Sequence, residues 1–137
     1  MGILPWRFRL TPTHKCLGLL VILCVVYFSD ILLHPGELLY SPVSDVTWLH
    51  YPFRLFAAES FHANGSIPLW CPYSNSGQPF QADLHSGLFY PPNFLFYLFP
   101  TSAVPAVFGW LTWGHVLVAG ISMFAYARHQ GLSPFGA

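Results

Sequence analysis

The chain has 137 residues, of which 54% are hydrophobic, 18% aromatic and only 7% charged, and its net charge with neutral histidines is zero. A soluble domain carries about 25% charged residues and needs them to cover its surface. The composition therefore points to a membrane protein, and without a basic excess there is no reason to expect a nucleic-acid partner.

Residues 1–15 hold Arg7, Arg9 and Lys15 and read as a cytoplasmic N-terminus. Residues 16–33, "CLGLLVILCVVYFSDILL", predict a first transmembrane helix. Its length of about 27 Å just crosses a hydrocarbon core of about 30 Å. No small-x-small cleavage site follows, so the segment reads as an uncleaved helix rather than a signal peptide. Asp30, near its outer end, reads as interfacial and solvated. Cys16 and Cys24 lie in this apolar run and Cys71 stands alone further on, so no zinc spacing and no disulfide framework is visible.

Residues 34–102 form a large loop in two halves. In the first, "SDVTWLHYPFRLFAAESFHANG", Ser44 or Asp45 can cap a helix and Asn64-Gly65 can end it. Val46, Leu49, Phe53 and Phe56 make one apolar stripe; Trp48, Tyr51, Leu55 and Ala58 make another. A helix apolar on both sides is sandwiched, here between the membrane interface and other protein. Pro52 should kink it or mark a break. In the second half, residues 65–93, Pro68, Pro72, Pro79, Pro91, Pro92 and three glycines allow no long helix or strand. The same stretch is too aromatic for a flexible linker.

Residues 103–127, "AVPAVFGWLTWGHVLVAGISMFAYA", predict a second transmembrane helix without an acidic or basic residue. Gly109, Gly114, Gly120 and Ser122 are small enough to let another helix approach. His115 reads as a packed or hydrogen-bonded histidine, with a proton-carrying role left open. Residues 128–137 read as a cytoplasmic turn and the start of a next helix: Gly131 as a stop, Ser133 as a cap, Pro134 at the first helical position. The expectation is the N-terminal fragment of a longer multi-spanning protein, inactive alone. Between the two apolar segments Arg54 is the single basic residue, so the positive-inside rule puts both ends in the cytoplasm and the loop outside.

An apolar helix, then "SD" and an aromatic helix with "YP", then "GSIPLWCPY", "GQPFQAD", "GLFYPPNFLF" and "GLSPFGA" come in a specific order. From about Cys16 to its end the chain resembles the start of the bacterial YfhO-like membrane proteins, which belong with the GT-C class of glycosyltransferases. Cys71 departs from the pattern, standing where asparagine is expected. The resemblance implies an all-α membrane protein in which two transmembrane helices flank a large extracytoplasmic loop with an interfacial helix, the N-terminal part of a GT-C-like multi-spanning fold. It implies a multi-pass location in the cell membrane, a polyprenyl-phosphate-linked sugar donor, and an envelope glycan or protein acceptor. It also implies an acidic residue of the first outer loop at the active site, as general base or as ligand of a divalent metal. Here that residue is Asp45.

Sugar transfer to a hydroxyl by single displacement needs a base for the acceptor proton. From the residues alone, Asp45 reads equally as a helix cap and as that base; the resemblance favours the base. Asp83 can make an Asx turn, or share a pocket with His85. Arg54 can pair with the donor phosphate or with a loop carboxylate. Gln78, Gln81 and Asn93 can hydrogen-bond sugar hydroxyls. Trp70, Tyr73, Phe80, Phe89 and Tyr90 pack the loop against the membrane face or stack on sugar rings, and burial of the loop is the simpler role for most of them. A transporter subunit or a non-catalytic membrane scaffold are the alternatives; the first leaves the long aromatic loop unexplained, since transporter sites lie in broken helices near the midplane.

Overall fold

The computed structural model describes residues 11–38 and 43–137, so most of the expected cytoplasmic N-terminus, with Arg7 and Arg9, lies outside the described residues. The protein is mostly helical. In chain order come α1 (Pro12–Tyr27), α2 (Ser29–Leu33), a π-helical turn (Val46–His50), α3 (Tyr51–Asn64), the two-residue strands β1 (Trp70–Cys71) and β2 (Gln78–Pro79), α4 (Leu95–Leu98) and α5 (Val104–His129). Single 3-10 turns occupy Phe80–Ala82, Leu84–Ser86, Pro91–Phe94 and Thr101–Ala103. The chain divides into two units, with the boundary inside α5: one holds α1 and the chain from Trp113 on, the other Asp30–Thr112.

Among the described residues one helix is long and apolar enough to cross a membrane, Thr101–His129. The first apolar segment does not form the single helix expected over residues 16–33. It starts earlier, because Thr11 Oγ1 accepts from the His14 N–H at 3.4 Å and Pro12 suits the first helical turn. It then breaks at Phe28, whose φ of −96° and ψ of 14° leave the helical region. Ser29 and Asp30 follow, residues that start helices more readily than they continue them. Asp30 is solvated, as its position suggested, and pairs with His34 Nδ1 at 3.2 Å.

In the first unit Gly120 lets the helices approach: a Cβ there would stand 3.3 Å from Leu20 Cδ2. The chain leaves α5 through a Schellman motif, in which the Gly131 N–H donates to Arg128 O and the Leu132 N–H to Ala127 O (3.1 and 3.2 Å). Gly131 takes the φ of +86° that this motif requires. Ser133 then caps one further turn, accepting from the Gly136 N–H at 3.2 Å.

The second unit is built on α3. Pro52 sits in its first turn, and it marks the change from the π-helical turn to the α-helix, His50 and Tyr51 both keeping helical φ and ψ. Gly65, at φ +66°, ends it by donating to Phe61 O at 2.7 Å. The two apolar stripes each find a partner, and both partners are protein. Phe53 and Ala57 pack with Cys71, Phe80, Leu88 and Tyr97. Ala58 packs on the other side with Phe96, Val104 and Val107. α4 and the first turns of α5 cover the second stripe at Ala58, with Tyr51 and Leu55 packed partly against them. Trp48 escapes both clusters and stays exposed.

Gly109 receives the Ile31 side chain directly, with no room for a Cβ. Gly109→Val is therefore expected to lower stability by about 1–3 kcal/mol through overpacking. Thermal unfolding in detergent, followed by circular dichroism, would read this as a lower Tm. Gly114→Val, at a glycine with nothing within 4 Å, should leave the Tm nearly unchanged. Equal effects would contradict the close approach.

Candidate functional site

The segment 65–93 folds by local rules. β1 and β2 pair antiparallel, Trp70 opposite Pro79 and Cys71 opposite Gln78. This short ladder is the departure from an all-α fold among the described residues. Its connecting turn places Asn75 and Ser76 at φ 51° and 62°, a region asparagine tolerates well. The Trp70 indole lies over Gly77, where a Cβ would come within 2.9 Å of Cζ2. Phe80 anchors the far end of the ladder. It is fully buried and meets Phe53 and Phe56 edge-on at 5.3 and 5.1 Å. Cys71 is buried in the same cluster, so its position holds a small apolar side chain rather than a polar contact with solvent.

The loop aromatics divide sharply. Phe80 alone of the five serves burial; Trp70, Tyr73, Phe89 and Tyr90 remain 56%, 83%, 71% and 46% exposed. These four rings make no part of the buried core of the loop.

Polar side chains tie the loop to α3. Asp83 makes the Asx turn: its Oδ1 accepts from the His85 N–H at 2.8 Å and opens the Leu84–Ser86 turn. Its Oδ2 accepts from Gln78 Nε2 at 2.8 Å, and Gln78 Oε1 accepts from Asn75 Nδ2 at 2.7 Å. Arg54, reaching across from α3, donates through NH1 to the carbonyls of Ser86 and, at 3.4 Å, His85. Asn93 Nδ2 donates to the next carbonyl, Gly87 O, at 2.8 Å. Three successive carbonyls thus face side-chain donors. Gly87, at φ +51°, makes this convergence sterically feasible: a Cβ would lie 2.6 Å from Arg54 NH2 and 2.7 Å from Asn93 Nδ2.

Arg54 meets backbone carbonyls rather than the loop carboxylate considered from the sequence. Removal from water pulls its pKa below the ordinary value, with nearby Tyr97 acting in the opposite sense. Burial pushes the Tyr97 phenol up, and the Arg54 charge draws it down again.

Asp45 stands where the π-helical turn begins. Its side chain makes no capping hydrogen bond and is exposed. Ser44 takes the capping role instead, its Oγ accepting from the Val46 N–H at 3.2 Å. The π-helical turn packs on the Leu84–Ser86 turn, and there the rings of His50 and His85 lie 6.0 Å apart.

Of the residues singled out from the sequence, Gln78, Asp83, His85, Arg54 and Asn93 gather on the turn 83–87. Gln81, Asp83 and Tyr90 line a shallow cleft of about 180 Å3 together with Ser86, Gly87 and Phe89. Trp70 lies apart, on Gly77. His50 and Gly87 were not singled out. The spacing of His50 four residues before Arg54 puts both on one helix face and could have pointed to the histidine; Gly87, between "HS" and "LFYPP", carried no comparable signal. Among the described residues no three His, Cys, Asp or Glu side chains come together in a way that could hold a metal ion. Neither a protein-family model, nor a curated protein, nor a solved structure matches this chain.

Proposed function

We propose that this chain is the N-terminal part of a multi-spanning membrane glycosyltransferase of the GT-C kind, with loop 34–102 on the outer face. In this reading Asp45 takes the proton of an acceptor hydroxyl. The hydroxyl oxygen attacks the anomeric carbon of a polyprenyl-phosphate-linked sugar. The sugar–phosphate bond breaks, and the lipid phosphate leaves with the electron pair. Asp83, His85, Arg54, Gln78, Gln81, Trp70, Tyr90 and Asn93 surround or support the substrate, several of them by shaping the 83–93 turn.

The observation that carries the reading is Asp45 itself. A capping aspartate would bond a backbone N–H of the first turn, but Ser44 does so and leaves the Asp45 carboxylate exposed. Exposed aromatic faces at Trp70, Phe89 and Tyr90 add surfaces on which the apolar C–H face of a sugar can stack.

The direct test is transfer of labelled sugar from polyprenyl-phosphate donors in membranes holding the intact protein. Transfer above that of membranes lacking it is expected; none across a donor panel would contradict the proposal. Topology has its own test, in a background with Cys16, Cys24 and Cys71 replaced. A membrane-impermeant thiol reagent on whole cells should label Ser66→Cys and not Gln130→Cys. The opposite pattern would reverse the orientation.

A further inference from the structure

We propose that the cavity between the π-helical turn, α3 and the turn after β1 binds an alkylated ammonium cation. The cavity measures about 400 Å3, within the ~300–1,000 Å3 usual for small-molecule sites. Trp48, Phe56, Tyr73 and Glu59 line it, together with Cys71 and Ser74. It shares no residue with the transfer site proposed above, so the two readings stand or fall separately.

The walls come from three parts of the chain and are held by the core. Phe56 and Glu59 stand three residues apart on one face of α3. The Phe56 ring meets buried Phe80 edge-on at 5.1 Å, and it meets Tyr73 edge-on at 5.7 Å. Tyr73 is thereby tied to the core although its ring is exposed. Trp48 comes from the π-helical turn and keeps its indole exposed. Cys71 is buried, and its Sγ donates to Ser74 Oγ at 3.9 Å.

This lining selects by charge and by hydrogen bonding. Aromatic faces attract cations through the ring quadrupole, Trp most strongly. Glu59 adds a full negative charge. It makes no ion pair among the described residues, and no Lys, Arg or His lines the cavity. An anion is therefore repelled. A hard metal ion takes about six oxygens or more, which one carboxylate and two hydroxyls do not supply. A sugar needs partners for several hydroxyls at once, and most of the lining is apolar. An alkylated ammonium asks for no hydrogen bond. Its charge meets Glu59 and the rings, and its methyl groups meet the apolar wall.

The same cation occurs free, as in choline, and on a lipid headgroup. Choline, glycerophosphocholine, the uncharged tert-butyl analogue of choline, and maltose are titrated by calorimetry into the intact protein in a polyoxyethylene detergent. Saturable choline binding is expected, with the uncharged analogue about tenfold weaker. Glu59→Gln should weaken choline about fivefold, the scale of one charge pair in water. Glu59 is exposed and unpaired, so this variant keeps the cavity. Trp48→Leu should weaken choline about fivefold as well, for the lost ring. Glycerophosphocholine binding more tightly than choline assigns a lipid headgroup; choline binding at least as tightly assigns a free solute. Both outcomes support the site. No saturable binding of either cation overturns it, as does equal binding of the uncharged analogue, binding of maltose in place of choline, or unchanged affinity in either variant.

Discussion

Gly87→Val should unfold the turn 83–93 and cost about 4 kcal/mol or more of stability, from a left-handed backbone, overpacking and a lost charged hydrogen bond. The φ of +51° is unfavourable for any side chain with a Cβ, most of all a branched one. That Cβ would also stand within 2.7 Å of both Arg54 NH2 and Asn93 Nδ2. Neither nitrogen can withdraw freely, because each donates to a carbonyl of the same turn or belongs to a group that does. Displacing Arg54 would leave the carbonyls of His85 and Ser86 without their donor. Gly65→Val is the control: it has a similar φ of +66° but nothing within 4 Å, so it should lose only the backbone part, about 1–2 kcal/mol. Limited proteolysis in detergent would read the difference, with cleavage between residues 83 and 93 appearing in Gly87→Val alone. Equal sensitivity of the two variants would mean that Arg54 and Asn93 do not hold the turn.

Much of the helical frame was legible because it follows from local chemistry. Gly65 and Gly131 stop helices where a residue at positive φ is needed, and Ser133 starts a turn where a hydroxyl meets free N–H groups. The two stripes of α3 predicted a helix covered on both sides, and it is. What covers the second stripe was not legible, since a sequence pattern gives the apolar face and not the identity of its neighbour. The break at Phe28 was missed for a related reason. The apolar run of residues 16–33 continues across it, and hydropathy is blind to the preference of Ser29 and Asp30 for helix starts.

The loop was legible as rigid but not in its internal wiring. Asp83 announced its Asx turn, because that bond spans two residues. The contact of Arg54 with the turn 84–86 joins residues more than thirty positions apart, and nothing local predicts it. The exposure of Trp70, Tyr73, Phe89 and Tyr90 was likewise hidden, for an aromatic ring reads the same in a sequence whether it faces a core or solvent. That Ser44 rather than Asp45 would cap the first turn was equally open, since both side chains are good caps.

Asp45→Asn separates the two roles of that residue most cleanly. Asparagine keeps the size of aspartate and caps a helix about as well. It cannot accept a proton as a base, and it lacks the charge that favours a hard cation. Since Ser44 holds the capping bond, expression and thermal stability of Asp45→Asn should match wild type. Sugar transfer from a polyprenyl-phosphate donor should fall by about a hundredfold or more, the usual scale for losing a general base. Asp83→Asn should behave differently, losing stability through its turn and its bond from Gln78, with a smaller loss of transfer per folded molecule. The deciding measurement is the initial rate of transfer in membranes holding equal amounts of wild type and Asp45→Asn. A hundredfold fall at equal expression is the result the proposed mechanism predicts; an unchanged rate would remove Asp45 from the chemistry and contradict it.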